Sequence, residues 1–414
     1  MHNSERKTFN PNAITLFTIL ASSMIILMGA AAIAPAIKPI SEHFDLSDSF
    51  LSSLVVSLPS LSVAITGFFV GMIADKIGKV KVLYACLAIF TVSGAGGYFC
   101  GDSFLLLLVL RFILGIGITG ISLTSTALIG EYYTGQECVR VIGLQAAAIG
   151  VGTIILETAG GYLADFGWAE PFLIYLVGLP ILVCAAVSVR DPKLMGARRS
   201  GQDPTAAAPA ITNKKLHLVI CYFVVFMEML LMFSLPMNFS FYVSEDLGEP
   251  YIFCGLLMGL MGIAQAVFSI LYSRRVNKMR EMQSYFVAFV LMGFGLILLY
   301  IPNLFLSLVS MILVGMSLGL LMPTVISTLS LISTPETSGK IMGGYSVFLN
   351  LSNFISSIAF AAVLAVVGSY TNMFLTAGAI SFIICVVVLL LSRRLEKGNM
   401  KVSAGTRPAQ EAKE

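Results

Sequence analysis

Charge is scarce: only 11% of the 414 residues are Asp, Glu, Lys or Arg, against about a quarter in an ordinary soluble domain. An ordinary water-soluble core is thereby excluded. Histidine is scarcer still, and His2, His43 and His217 all fall outside or at the edges of the apolar runs. No histidine relay at membrane depth and no metal site is expected. Cys86, Cys100, Cys138, Cys184, Cys221, Cys254 and Cys385 form no CxxC pair and lie mostly in apolar segments, so they read as buried thiols rather than disulfides or ligands. No GxxxxGK[ST] phosphate loop occurs, which removes the signature of an ATP-driven pump. No set of nucleophile, base and oxyanion donors points to an enzyme, and neither a cofactor nor a nucleic-acid partner is implied.

Apolar length is what the chain has in excess, with 57% hydrophobic residues arranged in recurring runs. A bilayer core of about 30 Å needs about 20 helical residues to cross it, and in hydrocarbon such runs must form helices. The breaks between runs predict spans at 13–37, 50–74, 82–100, 103–130, 141–164, 171–189, 216–243, 251–272, 284–301, 304–330, 341–367 and 371–392. The first resembles a signal peptide in having Arg6 and Lys7 ahead of it, but it is too long for the apolar region of one.

Lys and Arg test that count. With the N-terminus inside, 23 of the 25 fall in cytoplasmic segments, Lys38 alone lies outside, and Arg111 lies within span 4. This asymmetry supports an even number of helices with both termini cytoplasmic, and a bacterial plasma (inner) membrane as the location. The polar, basic stretch 190–215 then links two bundles, 1–189 and 216–392, followed by a tail at 393–414. The fold class expected is all-α, twelve transmembrane helices in two six-helix bundles. Setting 111–145 against 311–345 pairs Gly115 with Gly315, Thr124 with Thr324, Arg140 with Lys340 and Gly143 with Gly343, a weak repeat of the kind that relates transporter halves.

After span 2 the sequence reads Gly71-Met72-Ile73-Ala74-Asp75-Lys76-Ile77-Gly78-Lys79-Val80-Lys81, which resembles the G-x-L-a-D-r-x-G-r-k loop of the major facilitator superfamily. In span 4, Leu107 to Gly117 is similar to the l-x-x-x-R-x-x-x-G-x-G pattern of its drug:proton antiporter branch. Residues Gly152 to Gly161, GTIILETAGG, resemble that branch's g-x-x-x-G-P-x-x-G-G motif, with Leu156 in place of Gly and Glu157 in place of Pro. The matching loop of the second half, from Ser273 to Lys278, has lost the Asp and the Gly. The resemblance implies two rocking halves and a gating loop of Gly71, Asp75, Lys76, Gly78 and Lys79. In it Gly71 would permit close helix contact, Asp75 would face the positive start of helix 11 near Gly339, and Lys79 would pair with Glu131.

Arg111, Glu157 and Glu228 are the ionisable residues well inside the apolar runs, where a charge needs a partner or a watery cavity. At 1.5 Å per residue, Arg111 lies roughly 12 Å and Glu157 roughly 10 Å below the outer surface. They are expected to pair directly or through water, either as a proton-coupling device or as a static ion pair. Glu228 has no basic residue at its depth; it is expected to be a second proton or cation site, or a neutral acid bonded to a neighbouring helix. Gln145, Thr153, Gln265, Asn350 and Asn353 are candidates for a cavity lining, and Pro236 and Pro323 for helix bends. Proton-coupled export of small amphipathic or hydrophobic compounds by a monomer is the favoured expectation. Alternatives are uptake or exchange of a small organic metabolite or anion, and a transporter-like sensor or scaffold.

Overall fold

The computed structural model describes residues 11–26, 28–46, 49–133, 135–190, 214–273, 281–333 and 337–405. Most of the expected linker 190–215, most of the loop from Ser273 to Lys278, and the last residues of the tail lie outside them. The described residues form α1 (Ala13–Met24), α2 (Met28–Ala31), α3 (Ile37–His43), α4 (Ser49–Ile77), α5 (Lys79–Gly96), α6 (Phe104–Tyr132), α7 (Gly135–Ala164), α8 (Gly178–Ser188), α9 (Lys214–Met232), α10 (Ser234–Phe241), α11 (Tyr251–Ser273), α12 (Glu281–Leu298), α13 (Leu304–Ile332), α14 (Ser338–Val367) and α15 (Tyr370–Gly405). Short 3-10 segments precede α3 and α8, and a π-helical turn, Tyr242–Asp246, follows α10.

Eleven helical stretches among the described residues are long and apolar enough to cross a membrane. The twelfth crossing, expected as one helix over 13–37, is instead built from α1, α2, the turn Ala34–Ala36 and α3. Pro35 and Pro39 each lack an N–H, and Gly29 weakens the helix between them and α1. Other helices take up the freed carbonyls: Tyr175 Oη donates to Met28 O at 2.8 Å, and Ser240 Oγ to Pro35 O at 2.6 Å. A broken helix is sustained in a bilayer by such replacement partners. The seventh crossing breaks similarly at Phe233, three residues before Pro236, whose ring cannot donate to Met232 O. Pro323, by contrast, lies inside an uninterrupted α13.

Two buried clusters mark the two bundles. One draws on residues from Ile19 to Val189, the other on residues from Ile220 to Val388 with Ala34 inserted from the first half. The Gly115–Gly315 pairing has a structural counterpart. A side chain on Gly115 would collide with Pro59 O of α4, and one on Gly315 with Met261 O of α11. The fourth and tenth crossings thus use the same glycine to approach the second and eighth.

Candidate functional site

Arg111 is almost wholly enclosed, at 1% exposure, and its partners come from α4 and the segment before α8. Its Nε donates to Val55 O at 2.9 Å, and Nη1 donates to Tyr175 Oη at 2.7 Å. Val55 is four residues before Pro59, whose missing N–H leaves that carbonyl without its helical donor. Tyr175 accepts from the arginine and passes its own proton to Met28 O. The guanidinium also lies 5.5 Å from the ring centres of Phe172 and Tyr175, a cation–π arrangement. Arg111 therefore ties four crossings of the first bundle together.

Glu157 does not meet it. Equal depth on consecutive helices had suggested a pair, but depth says nothing of azimuth, and the two side chains leave their helices toward different neighbours. The Glu157 stretch of α7 packs against α11 and the broken first crossing. Side chains on Gly160 and Gly255 would run into Ala32 O and Glu157 O respectively, while one on Gly161 would lie 2.6 Å from Tyr251 O. Glu157 is 4% exposed, and its Oε2 is sealed away from any hydrogen-bond donor. It thus occupies the seam between the two bundles.

Glu228, fully buried, turns into the second bundle. Its Oε1 lies 2.5 Å from Ser317 Oγ of α13, which is also 2.7 Å from Ala288 O of α12. A serine hydroxyl carries one proton, and a backbone carbonyl can only accept. If Ser317 donates to Ala288 O, the short contact to Glu228 requires a proton on the carboxyl. Glu228 is thus bonded to a neighbouring helix, a contact compatible with both roles expected for it.

Most of the polar residues proposed as a lining have hydrogen-bond partners of their own. Gln145 Nε2 donates to Ser23 Oγ at 2.9 Å and to Thr126 Oγ1 at 3.2 Å, inside the first bundle. Thr153 and Asn350 bond carbonyls of their own helices. Gln265 lies where Gly315 and Gly319 press on its backbone. Asn353 Nδ2 donates across the seam to Ser60 Oγ at 2.6 Å, which makes it a joint between bundles.

In the loop after the second crossing, Lys79 and Glu131 form an ion pair. Gly78 adopts φ 101°, a region closed to most side chains. Gly71 is not a site of close approach, for the nearest atom to an added side chain would be Leu123 Cδ1 at 4.0 Å. Asp75 and Lys76 lie exposed on the last turn of α4, and a side chain added at Gly339 would meet nothing within 4 Å.

Sequence reasoning missed the ties at the opposite end. Asp165, just past α7, accepts from Tyr251 N at 2.7 Å and Ile252 N at 3.2 Å, capping the first turn of α11 in the other bundle. Lys38 Nζ donates to Ser244 Oγ at 3.0 Å and lies 3.2 Å from Glu245 Oε1. Its isolation as the single cation of that side was visible, but its partner was not. At the Lys79 end, His217 at the start of α9 contacts Glu281 of α12 at 3.1 Å, within the second bundle.

A family profile described as Major Facilitator Superfamily matches residues 19–252 and 221–413. Multidrug resistance protein 2 of Bacillus subtilis is 25% identical over 321 residues, covering 73% of this chain and 79% of that protein. Quinolone resistance protein NorA of Staphylococcus aureus is 26% identical over 179 residues, 43% of this chain and 46% of that one. The inward-open xylose transporter XylE of E. coli shares the fold at a TM-score of 0.70, with 16% identity, covering 91% of this chain and 96% of that one.

Proposed function

This chain belongs to the Major Facilitator Superfamily, and from that premise we propose that it is a proton-coupled exporter of small amphipathic or hydrophobic compounds. It is a multi-pass membrane transporter; the coupling, the cargo and the direction are the proposal. In this reading the Lys38 end faces outward and the Lys79 end faces the cytoplasm, as the distribution of basic residues suggests.

The observation that carries the coupling is Glu157, a carboxyl enclosed in the seam between bundles with one oxygen lacking any donor. A carboxylate has no compensation there, so the closed seam favours a proton on it. Parting of the outer ends, held by Asp165 and Lys38, admits water and allows that proton to exchange. Protonation is thereby linked to which side is open, and the arrangement needs no ion pair with Arg111. Glu228 acts as a second titrating group, bonded to Ser317. Arg111 is a fixed tie of the first bundle in this reading, which removes the main support for an anion carrier. The relatives named for multidrug and quinolone resistance support an amphipathic cargo. The Gly71–Lys79 loop, with its Lys79–Glu131 pair, serves as the cytoplasmic latch.

The test is purified protein in liposomes loaded with a pH-sensitive dye, with cationic, neutral and anionic compounds added outside. Export coupled to protons predicts compound-driven proton flux in the wild type. Glu157→Gln is expected to abolish that flux while retaining exchange of labelled for unlabelled compound. Flux that persists in Glu157→Gln, Glu228→Gln and the double variant would sink the coupling.

A further inference from the structure

We propose that the first bundle binds one anionic phospholipid, with a hydrocarbon chain in the groove among α1, α7 and α8 and its headgroup at the basic end. The groove has a volume of about 300 Å³. Ala21, Ile25, Leu156 and Ile181 form its buried floor, and Phe17 and Ile155 its exposed rim. No polar atom is offered to an occupant, since the one hydroxyl, on Thr18, is engaged with Ile14 O and Ser188 Oγ. Such a surface can hold hydrocarbon but cannot orient a polar compound.

The chemistry at its basic end selects the lipid. Arg140 begins the exposed stripe of α7 that continues through Leu144, Val151 and Ile155. Arg190 lies exposed two residues beyond α8. Its backbone is pinned: Tyr84 Oη donates to Ala185 O and Val189 O at 3.0 and 2.8 Å, and Tyr132 bonds both the N–H and the carbonyl of Arg190. Along the chain, Arg190 is about 9 Å from Cys184 and Arg140 about 22 Å from Ile155. A leaflet's hydrocarbon is about 15 Å deep, so an acyl chain whose headgroup is held near Arg190 reaches the groove at Cys184, while Arg140 adds charge farther from its deep end. Basic residues at the membrane surface favour anionic headgroups.

Leu156 gives the site its particular interest. It replaces the glycine of the resembling antiporter motif, and its side chain lines the groove one residue from Glu157. A bound chain therefore presses on the same turn of α7 that carries the seam carboxyl.

The experiment is native mass spectrometry of the full chain, purified and exposed to equal amounts of phosphatidylglycerol and phosphatidylcholine. One tightly retained phosphatidylglycerol is expected, about tenfold over phosphatidylcholine. Combined Arg140→Gln and Arg190→Gln substitution should bring the two lipids to parity. Val177→Trp, placed at the rim where it need not disturb the core, should lower retention of both. Peptide-level labelling with N-ethylmaleimide should show Cys184 protected by phosphatidylglycerol in the wild type and not in the arginine variant. Equal retention of the two lipids by the wild type, or a Val177→Trp variant that folds and retains lipid as before, overturns the site.

Discussion

A buried arginine in a membrane protein invites a search for an acid, yet Arg111 meets a carbonyl through Nε, a phenol through Nη1 and two aromatic faces, with Nη2 left without a hydrogen-bond partner. The carbonyl is available because of Pro59, four residues along the same helix. Tyr175→Phe keeps the ring but removes the hydroxyl that joins Arg111 to Met28 O. Its expected cost is about 1–2 kcal/mol, measured as a lowered thermal unfolding midpoint in detergent. Arg111→Met combined with Tyr175→Phe should cost less than the two single losses together, because the residues share one network. Arg111→Met with Glu157→Met should be additive to within about 0.5 kcal/mol, as expected of groups without a shared partner. A large coupling in that second cycle would contradict the separation described here.

At the scale of helices, glycines divide into those that set a crossing and those that do not. Gly115 and Gly315 each press on the backbone of a neighbouring crossing, and backbone cannot swing aside as a long side chain can. Alanine at either position should cost about 1–3 kcal/mol through forced separation. Gly143 and Gly343 occupy matching places in the two bundles, with nothing within 4 Å of an added side chain. Alanine there should be neutral or stabilising by about 0.5–1 kcal/mol, from the intrinsic preference for helix. Unfolding of the four single variants side by side checks the contrast. Asp165 acts on a helix terminus in the same way that a local cap does, but across bundles, and such a contact is worth about 0.5–2 kcal/mol.

Over the whole molecule, Asp165 and Lys38 tie the two bundles together at one end. Spin labels on Asp102 and Glu249, one in each bundle at the Lys38 end, report that separation. Asp165→Ala should lengthen the distance by removing both hydrogen bonds to the start of α11. On the proposed coupling through Glu157, raising the pH should also lengthen it in the wild type, because a proton favoured in the closed seam would be released from the open one. Glu157→Gln should remove the pH response while leaving the response to Asp165→Ala. A wild-type distance that ignores pH would separate Glu157 from the conformational cycle.

Much of the architecture was legible in composition. Apolar runs longer than a bilayer is thick can satisfy their backbones only as helices, so the span expected at 103–130 is found as the helix Phe104–Tyr132. The resemblance carried by the loop after α4 also told something: it implied the pair of Lys79 with Glu131, which the structure forms. The break in the first crossing was less visible, because Pro35 and Pro39 become interruptions only when Tyr175 and Ser240 supply the missing partners. The candidate site was legible as a set of residues and not as a set of contacts. Sequence fixes depth through the rise of a helix, and so identified Arg111, Glu157 and Glu228 as charges that needed an explanation. Rotation about the helix axis and the packing of distant helices decide what each one meets. Tertiary structure alone turned Arg111 toward Val55 and Tyr175, Glu157 toward the seam beside Gly255, and Glu228 toward Ser317.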